Sequence, residues 1–351
     1  MPEPIDLRSD TVTRPTDEML AAMASASFGD DSRDGDPTVV RLEALAAERC
    51  GKAAGLFLPS GTMANLVAIL AHTGRAGELL LEATSHTLTS ELGGIGALAG
   101  LFYRPLPGHR GAPDFDALRA AIRAPGVGRN RVGSALIQLE TTHNQAGGAV
   151  LPLSLMAAVW QLSQQHNVPV HVDGARLFNA ATALGVGVDV IAQYADSVNF
   201  CLSKGLSAPV GSMLCGSSAF IEVARGYRRM VGGNLRQAGP LAAAGIVAIE
   251  RMASRLGEDH ATAKQLAEGL AELDPRLVDP TRIETNIVRV DVAASPLDAQ
   301  AWERGMAARG VRVGAYGVER QLRLVTHRHV DTAAINVVLD AARALLRRGA
   351  G

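Results

Sequence analysis

Apolar positions along the chain fall into two alternating patterns. Short, nearly continuous apolar runs occur at Leu56–Leu58, Glu78–Leu81, Ala135–Leu139, Pro169–Val172, Ser197–Cys201 and Ser212–Cys215. Between several of them the spacing lengthens to three and four, as in Leu153–His166, where Leu153, Met156, Val159 and Leu162 define one helical face. Strands separated by amphipathic helices predict βαβ units and a mostly parallel sheet, so the fold class is α/β. Strands without polar alternation predict a sheet covered on both faces. The rhythm changes in the 230s, where a glycine-rich stretch, Val231–Pro240, precedes a helix predicted from Leu241 to about Arg255. A further helix at about His260–Leu273 follows. Strand, helix and strand patterns at Thr285–Val292, Pro296–Arg309, Val311–Val313 and Leu322–Val325 then predict a smaller α+β domain. The Gly- and Arg-rich stretch Arg123–Gly133 reads as a loop.

Composition narrows the function classes. A chain of 351 residues fits two domains at roughly 100–200 residues each, and 47% hydrophobic content supplies a core. The 34 basic residues balance 35 acidic ones, which leaves no electrostatic footprint for nucleic acid or an anionic membrane. No apolar run reaches the roughly 18–20 residues of a membrane span. The N-terminal segment lacks an apolar signal core, so a cytoplasmic protein is expected. Three scattered cysteines, Cys50, Cys201 and Cys215, are too few for a disulfide framework or a zinc site, and no metal is expected.

Only three of the basic residues are lysines: Lys52, Lys204 and Lys264. Lys52 follows a helix end, where a cation suits the dipole, and Lys264 lies on the polar face of an amphipathic helix. Lys204 is different. It ends the apolar run Asn199-Phe-Cys-Leu-Ser-Lys204, before Gly205, where burial would favour the neutral amine that Schiff-base formation needs. Asp173, in Val170-His-Val-Asp-Gly-Ala-Arg176, ends another apolar strand, and a buried carboxylate there wants a cationic partner. Pyridoxal phosphate offers one in its protonated ring nitrogen. Ser60-Gly61-Thr62 lies between a strand and a helix start, an arrangement that suits a phosphate. No Gly-Lys-Ser/Thr or Gly-x-Gly-x-x-Gly motif supports ATP or NAD instead. His86 and His143 each follow a strand, where an imidazole can handle protons or, for His86, stack on a flat ring.

Together these segments resemble the low-specificity L-threonine aldolase family. The resemblance runs through Asp6-Leu-Arg-Ser-Asp-Thr-Val-Thr13, Phe57-Leu-Pro-Ser-Gly-Thr-Met63, Thr142-His-Asn144, Val172-Asp-Gly-Ala-Arg-Leu177 and Cys201-Leu-Ser-Lys-Gly-Leu206. It continues through Gly232-Gly-Asn-Leu-Arg-Gln-Ala-Gly239 and Arg323-Leu-Val-Thr-His327, from about residue 5 to 330. It implies a fold-type-I pyridoxal-phosphate enzyme with an N-terminal arm over 1–14, a large cofactor domain over 15–245 and a small domain over 246–351. It also implies a dimer or tetramer with shared active sites. By the same resemblance Lys204 matches the Schiff-base lysine, Asp173 the pyridinium partner and His86 the stacking histidine and candidate base. Ser60, Gly61 and Thr62 match the phosphate turn, and Arg236 an arginine reaching the phosphate of a neighbouring subunit. Ser9, Arg176 and Arg323 match the groups that hold the substrate carboxylate, with Arg176 also beside the cofactor.

Two positions depart from the family pattern. Gly29-Asp-Asp-Ser-Arg-Asp-Gly-Asp-Pro37 carries Arg33 where a tyrosine is usual, which points to an altered substrate-side pocket. A histidine of relatives that binds the substrate hydroxyl falls near Asn130. The expected activity is retro-aldol cleavage of L-3-hydroxy-α-amino acids such as threonine, allo-threonine or phenylserine to glycine and an aldehyde. The alternatives are another pyridoxal-phosphate-dependent β-eliminating lyase of the same superfamily, or a cofactor-binding protein without turnover.

Overall fold

In the computed structural model, which describes residues 3–74, 77–126, 130–315 and 320–348, all six apolar runs become strands of one sheet. The strands are β1 (Ala54–Leu58), β2 (Glu78–Glu82), β3 (Phe102–Leu106), β4 (Ser134–Glu140), β5 (Val170–Asp173), β6 (Ser197–Cys201) and β7 (Ser212–Gly216). Their order is β1-β7-β6-β5-β4-β2-β3, and β7 alone runs against its neighbours. The strand without an apolar signature, β3, is an edge strand: Phe102 and Tyr103 are exposed, and Pro105 gives up a ladder donor.

The helices of this unit include α1 (Pro37–Arg49), α2 (Gly61–Thr73), α3 (Leu153–His166), α4 (Leu177–Leu184), α5 (Ser218–Met230) and α6 (Gly239–Val247). The Ser60 hydroxyl accepts the Met63 N–H and starts α2. Gly74, at φ 62°, ends it in a conformation that a side chain would resist. The helix expected from Leu241 begins at Gly239 and passes into a wider turn, Ala248–Met252, then a tighter one, Ala253–Arg255.

Two polar rows cross the otherwise apolar middle of the sheet. Strand register sets Gln138, His171 and Ser197 side by side, and one step further Glu140, Asp173 and Asn199. Residues two apart on a strand share a face, so both rows look the same way. Helix α2 answers them with Asn65 and His72, two helical turns apart.

The chain divides into two compact units: Arg14–Ala146 with Val150–Ala253, just described, and the described residues of Met1–Thr13, Gly147–Ala149 and Ser254–Gly351. The second unit holds β8 (Ile287–Asp291), β9 (Gly314–Ala315) and β10 (Gln321–Val325), antiparallel in the order β8-β10-β9. Its helices are α7 (Leu256–Leu273), α8 (Ala299–Ala307) and α9 (Thr332–Arg348). Leu266, Leu270, Val288, Val290, Trp302, Leu324, Ile335 and Val338 form its core. The Trp302 indole N–H donates to Ser295 Oγ at 3.0 Å, which satisfies the one polar atom this large side chain buries. The Val311 run is a short pairing, Val311–Arg312 alongside Ile5–Asp6.

Candidate active site

Asp173 ends β5 and is buried. Its Oδ2 accepts from Asn65 Nδ2 at 2.8 Å, and its Oδ1 accepts the Ala175 N–H at 3.1 Å. Asn65 also donates to Glu91 Oε1 at 2.8 Å, and that oxygen lies 2.9 Å from His86 Nδ1. His86, Glu91 and Asp173 thus place one atom each within 4.8 Å of one another. Such a trio could also surround a cation, but the Asn65 amide already donates into both carboxylates. The hydrogen bond to Glu91 raises the pKa of His86, while burial raises that of Glu91.

Behind His86 lies a second buried group. Glu140, at the end of β4, accepts the His86 backbone N–H through Oε2 at 2.6 Å and the Asn144 N–H through Oε1 at 2.8 Å. His143 Nε2 stands 3.2 Å from Glu82 and 3.7 Å from Glu140. Burial pulls His143 toward neutrality, but Glu140 and Glu82 together outweigh it and hold its pKa above the ordinary value. Gly111 makes room for this imidazole: a Cβ there would come within 2.3 Å of the ring.

Lys204 follows β6 by three residues and is half-buried rather than buried. With Arg176, Cys201 and Gly205 it lines a common cleft. Gly61, first residue of α2, packs beside the same cysteine, and a Cβ there would meet Cys201 Sγ at 2.7 Å. Ser60, Gly61 and Thr62 therefore open a thirteen-residue helix whose first N–H groups have no intrahelical acceptor. One turn further along, that helix supplies the Asn65 that grips Asp173. An anion site, a buried carboxylate, a hydrogen-bonded imidazole and a lysine thus follow four strand ends of one unit, linked through Asn65 and Cys201. This set fits the phosphate, ring nitrogen, ring face and aldehyde of pyridoxal phosphate.

Other expected residues form separate groups. Arg33 is 79% exposed with Nε 3.6 Å from Asp30. Arg236 is 70% exposed, donates to Ser32, and lies 3.8 Å from Asp30 as well. In the other unit Ser9 caps a short helical turn by accepting the Thr11 N–H, and Arg323 Nη2 donates to the adjacent Arg8 carbonyl at 3.1 Å. Asn130 is exposed, and within Arg123–Gly133 residues 127–129 lie outside the described residues. Lys52 donates to the Ala195 carbonyl at 2.6 Å, and Lys264 is exposed.

Sequence reasoning does not single out Asn65, Glu91 or Glu140. The available signal for Asn65 is a lone amide in the apolar run Met63–Leu70, one heptad before His72. Glu140 shows only as a carboxylate at the end of an apolar strand, and Glu91 carries no signal of its own.

A family model described as beta-eliminating lyase matches residues 6–294. The chain is 42% identical over 345 residues to the low specificity L-threonine aldolase of Escherichia coli K12, covering 98% of this chain and all of that one. It is 41% identical over 339 residues to the probable low-specificity L-threonine aldolase 2 of Arabidopsis thaliana, covering 96% and 95%. Among solved structures, a putative aromatic amino acid beta-eliminating lyase/threonine aldolase from Exiguobacterium superposes with a TM-score of 0.80 at 20% identity, over 95% and 94% of the chains.

Proposed function

The chain belongs to the low-specificity L-threonine aldolases of the beta-eliminating lyase family, and from that premise we propose that it cleaves L-3-hydroxy-α-amino acids to glycine and an aldehyde. L-Threonine and L-allo-threonine are the proposed substrates, and phenylserine extends the class to an aromatic β-substituent. The cofactor is pyridoxal 5'-phosphate, which supplies an electron sink for the bond that breaks at the substrate α-carbon. The observation that carries this reading is the set formed by Asp173, His86, Lys204 and the α2 N-terminus, which follow the ends of β5, β2, β6 and β1 and are linked through Asn65 and Cys201.

Each side chain then has a task. Asp173 would hold the ring nitrogen and keep its proton in place. The N–H groups and hydroxyls of Ser60–Thr62 would hold the phosphate, and Lys204 Nζ would be the amine for the cofactor aldehyde. Arg176, which lines the cleft with Lys204, would take the substrate carboxylate, a role for which the guanidinium fork is suited. With Nδ1 engaged by Glu91, His86 presents Nε2 to accept the β-hydroxyl proton. General-base help of this kind is worth typically 10²–10⁴-fold. The exposed Arg236 suits delivery to the phosphate of a second copy, and we place the enzyme as a dimer or tetramer with shared sites. Its three cysteines are buried free thiols, in keeping with a cytoplasmic location.

The test is direct. Holoprotein given threonine and phenylserine should release glycine and the matching aldehyde; ammonia and a keto acid would instead assign it to β-elimination. Lys204→Ala and Lys204→Arg should each lose the visible absorbance of bound cofactor and at least roughly 10⁴-fold in turnover, as single deletions of reacting groups do. Exposed Lys264→Ala should keep both. Near-normal turnover by Lys204→Ala would remove the assignment.

A further inference from the structure

We propose that Asn65 is a positioning residue for this reaction: one side-chain amide that grips Asp173 and Glu91 together, and so sets the ring-nitrogen carboxylate against the histidine that handles the proton. The proposal rests on the reading of the site given above.

Backbone donors fix the orientation of the amide. The Gly174 N–H donates to Asn199 Oδ1 at 3.1 Å, so the other end of Asn199, Nδ2, is a donor. Asn199 Nδ2 donates to Asn65 Oδ1 at 3.0 Å, which turns Asn65 Nδ2 toward the carboxylates. Its two protons are both spent, one on Asp173 and one on Glu91, each at 2.8 Å. His171 Nε2 stands 3.4 Å from the same Asn65 oxygen and closes the rear of the clamp. Asn65 is 2% exposed and the Glu91 side chain 5%, so water does not compete for these bonds.

Among side chains only a primary amide offers this combination, and asparagine carries it on the shorter stem. Two donors on one nitrogen with an acceptor behind it belong to an amide; aspartate would add a third carboxylate, and leucine would fill the volume without donating. Without the amide, Asp173 and Glu91 would face each other in a desolvated space, a setting in which one of two carboxylates takes up a proton. Glu91 is the one that yields, because burial already favours its neutral form. Neutral Glu91 would no longer support the protonated form of His86, which also faces Asp173 and Glu140. The clamp therefore sets the pH at which His86 becomes a base.

The experiment compares wild-type and Asn65→Leu holoenzymes in the pH profile of kcat and in the NMR titration of the His86 ring. A fall of about 10–100-fold, the size found when an orienting partner of a metal ligand is lost, is expected in kcat with KM little changed. The acid limb of the profile and the His86 titration should both move about one unit lower. A folded Asn65→Leu enzyme with unmoved acid limb and His86 titration overturns the proposal. Should Asn65→Leu not fold, Glu91→Gln keeps acceptors for Asn65 and His86 but deletes the charge. It should move both readouts in the same direction, and no movement overturns the proposal equally. The NMR titration needs no turnover, so it judges the clamp even where wild-type protein fails to release glycine and sinks the activity itself.

Discussion

Two buried histidines flank the candidate site, and their surroundings shift their protonation in opposite directions. His171, in the middle of β5, touches Ser197 Oγ at 2.8 Å and the Asn65 oxygen at 3.4 Å, both neutral groups. Burial pushes its pKa down to about 4, and that of His72, which shares the Ser197 hydroxyl at 2.7 Å, to about 3. His143, equally buried just past the end of β4, lies between the carboxylates of Glu82 and Glu140, which raise its pKa and favour its charged form. Burial alone does not decide protonation; the charge of the partners does. The neutral region stands behind Asn65 and so behind Asp173, while the charged region holds the backbone of His86 through Glu140. Asp173 and His86, the proposed cofactor partner and proposed base, are thus supported by two different kinds of buried polar structure.

Removing the cation from the charged region should give the largest effect. His143→Leu leaves Glu82 and Glu140 facing each other without a counter-charge, and breaking a buried pair from one side costs about 3–5 kcal/mol. Urea denaturation should show that loss, and adding Glu82→Gln should recover part of it. Wild-type stability in His143→Leu would mean that the three groups carry no net ionic interaction, and the contrast with His171 would disappear.

The neutral region should reveal itself through pH. His171 and His72 have folded pKa values of about 4 and 3, below the roughly 6.5 of an unfolded histidine. As pH falls from about 6.5 toward 4 the unfolded chain binds protons that the folded one refuses, so stability falls, by up to about 1.4 kcal/mol per unit for each group. His143 has the opposite sign: its contribution is complete below its unfolded pKa and is lost as pH rises through the raised folded value. His171→Gln, neutral at every pH, should therefore flatten the acid side of the stability curve and leave the alkaline side unchanged. An acid side as steep as in wild type would place the titrating groups elsewhere.

The legibility of the molecule divides along the same line. Six of seven strands are visible in the sequence because a covered parallel strand is a short apolar run, and β3 is hidden because an exposed edge with Pro105 lacks that signature. Lys204, Asp173 and His86 are visible because each follows such a run and precedes a turn or helix start. Their supports are not. Asn65 looks like an interruption of an apolar helix until the register of β5 and β6 sets Asp173 beside Asn199. Glu91 precedes the fully exposed Leu92 and reads as loop, yet its carboxylate folds inward to His86. Glu140 finds its cation on the same strand-end turn and its second carboxylate two strands' ends together, at Glu82 of neighbouring β2. What a strand end does is local and readable, whereas what holds it depends on register.

Arg33 offers the exposed counterpart to both buried regions, and the smallest expected effect. Its guanidinium is 79% exposed and pairs with Asp30 at 3.6 Å, the carboxylate that Arg236 also approaches. Exposed pairs contribute about 0–1 kcal/mol, so Arg33→Tyr should leave stability within that range, unlike His143→Leu. Its consequence should instead appear in substrate choice. Arg33 and Arg236 share one carboxylate, and Arg236 is the residue proposed to serve a neighbouring copy's phosphate; Arg33 would then lie on the same rim. A tyrosine there restores an aromatic face for a β-phenyl group, and aromatic pairs are worth about 0.5–1.5 kcal/mol. The ratio of kcat/KM for phenylserine over threonine should accordingly rise several-fold, since that ratio isolates the difference in transition-state binding. An unchanged ratio with unchanged stability would leave Arg33 as no more than a counter-charge to Asp30.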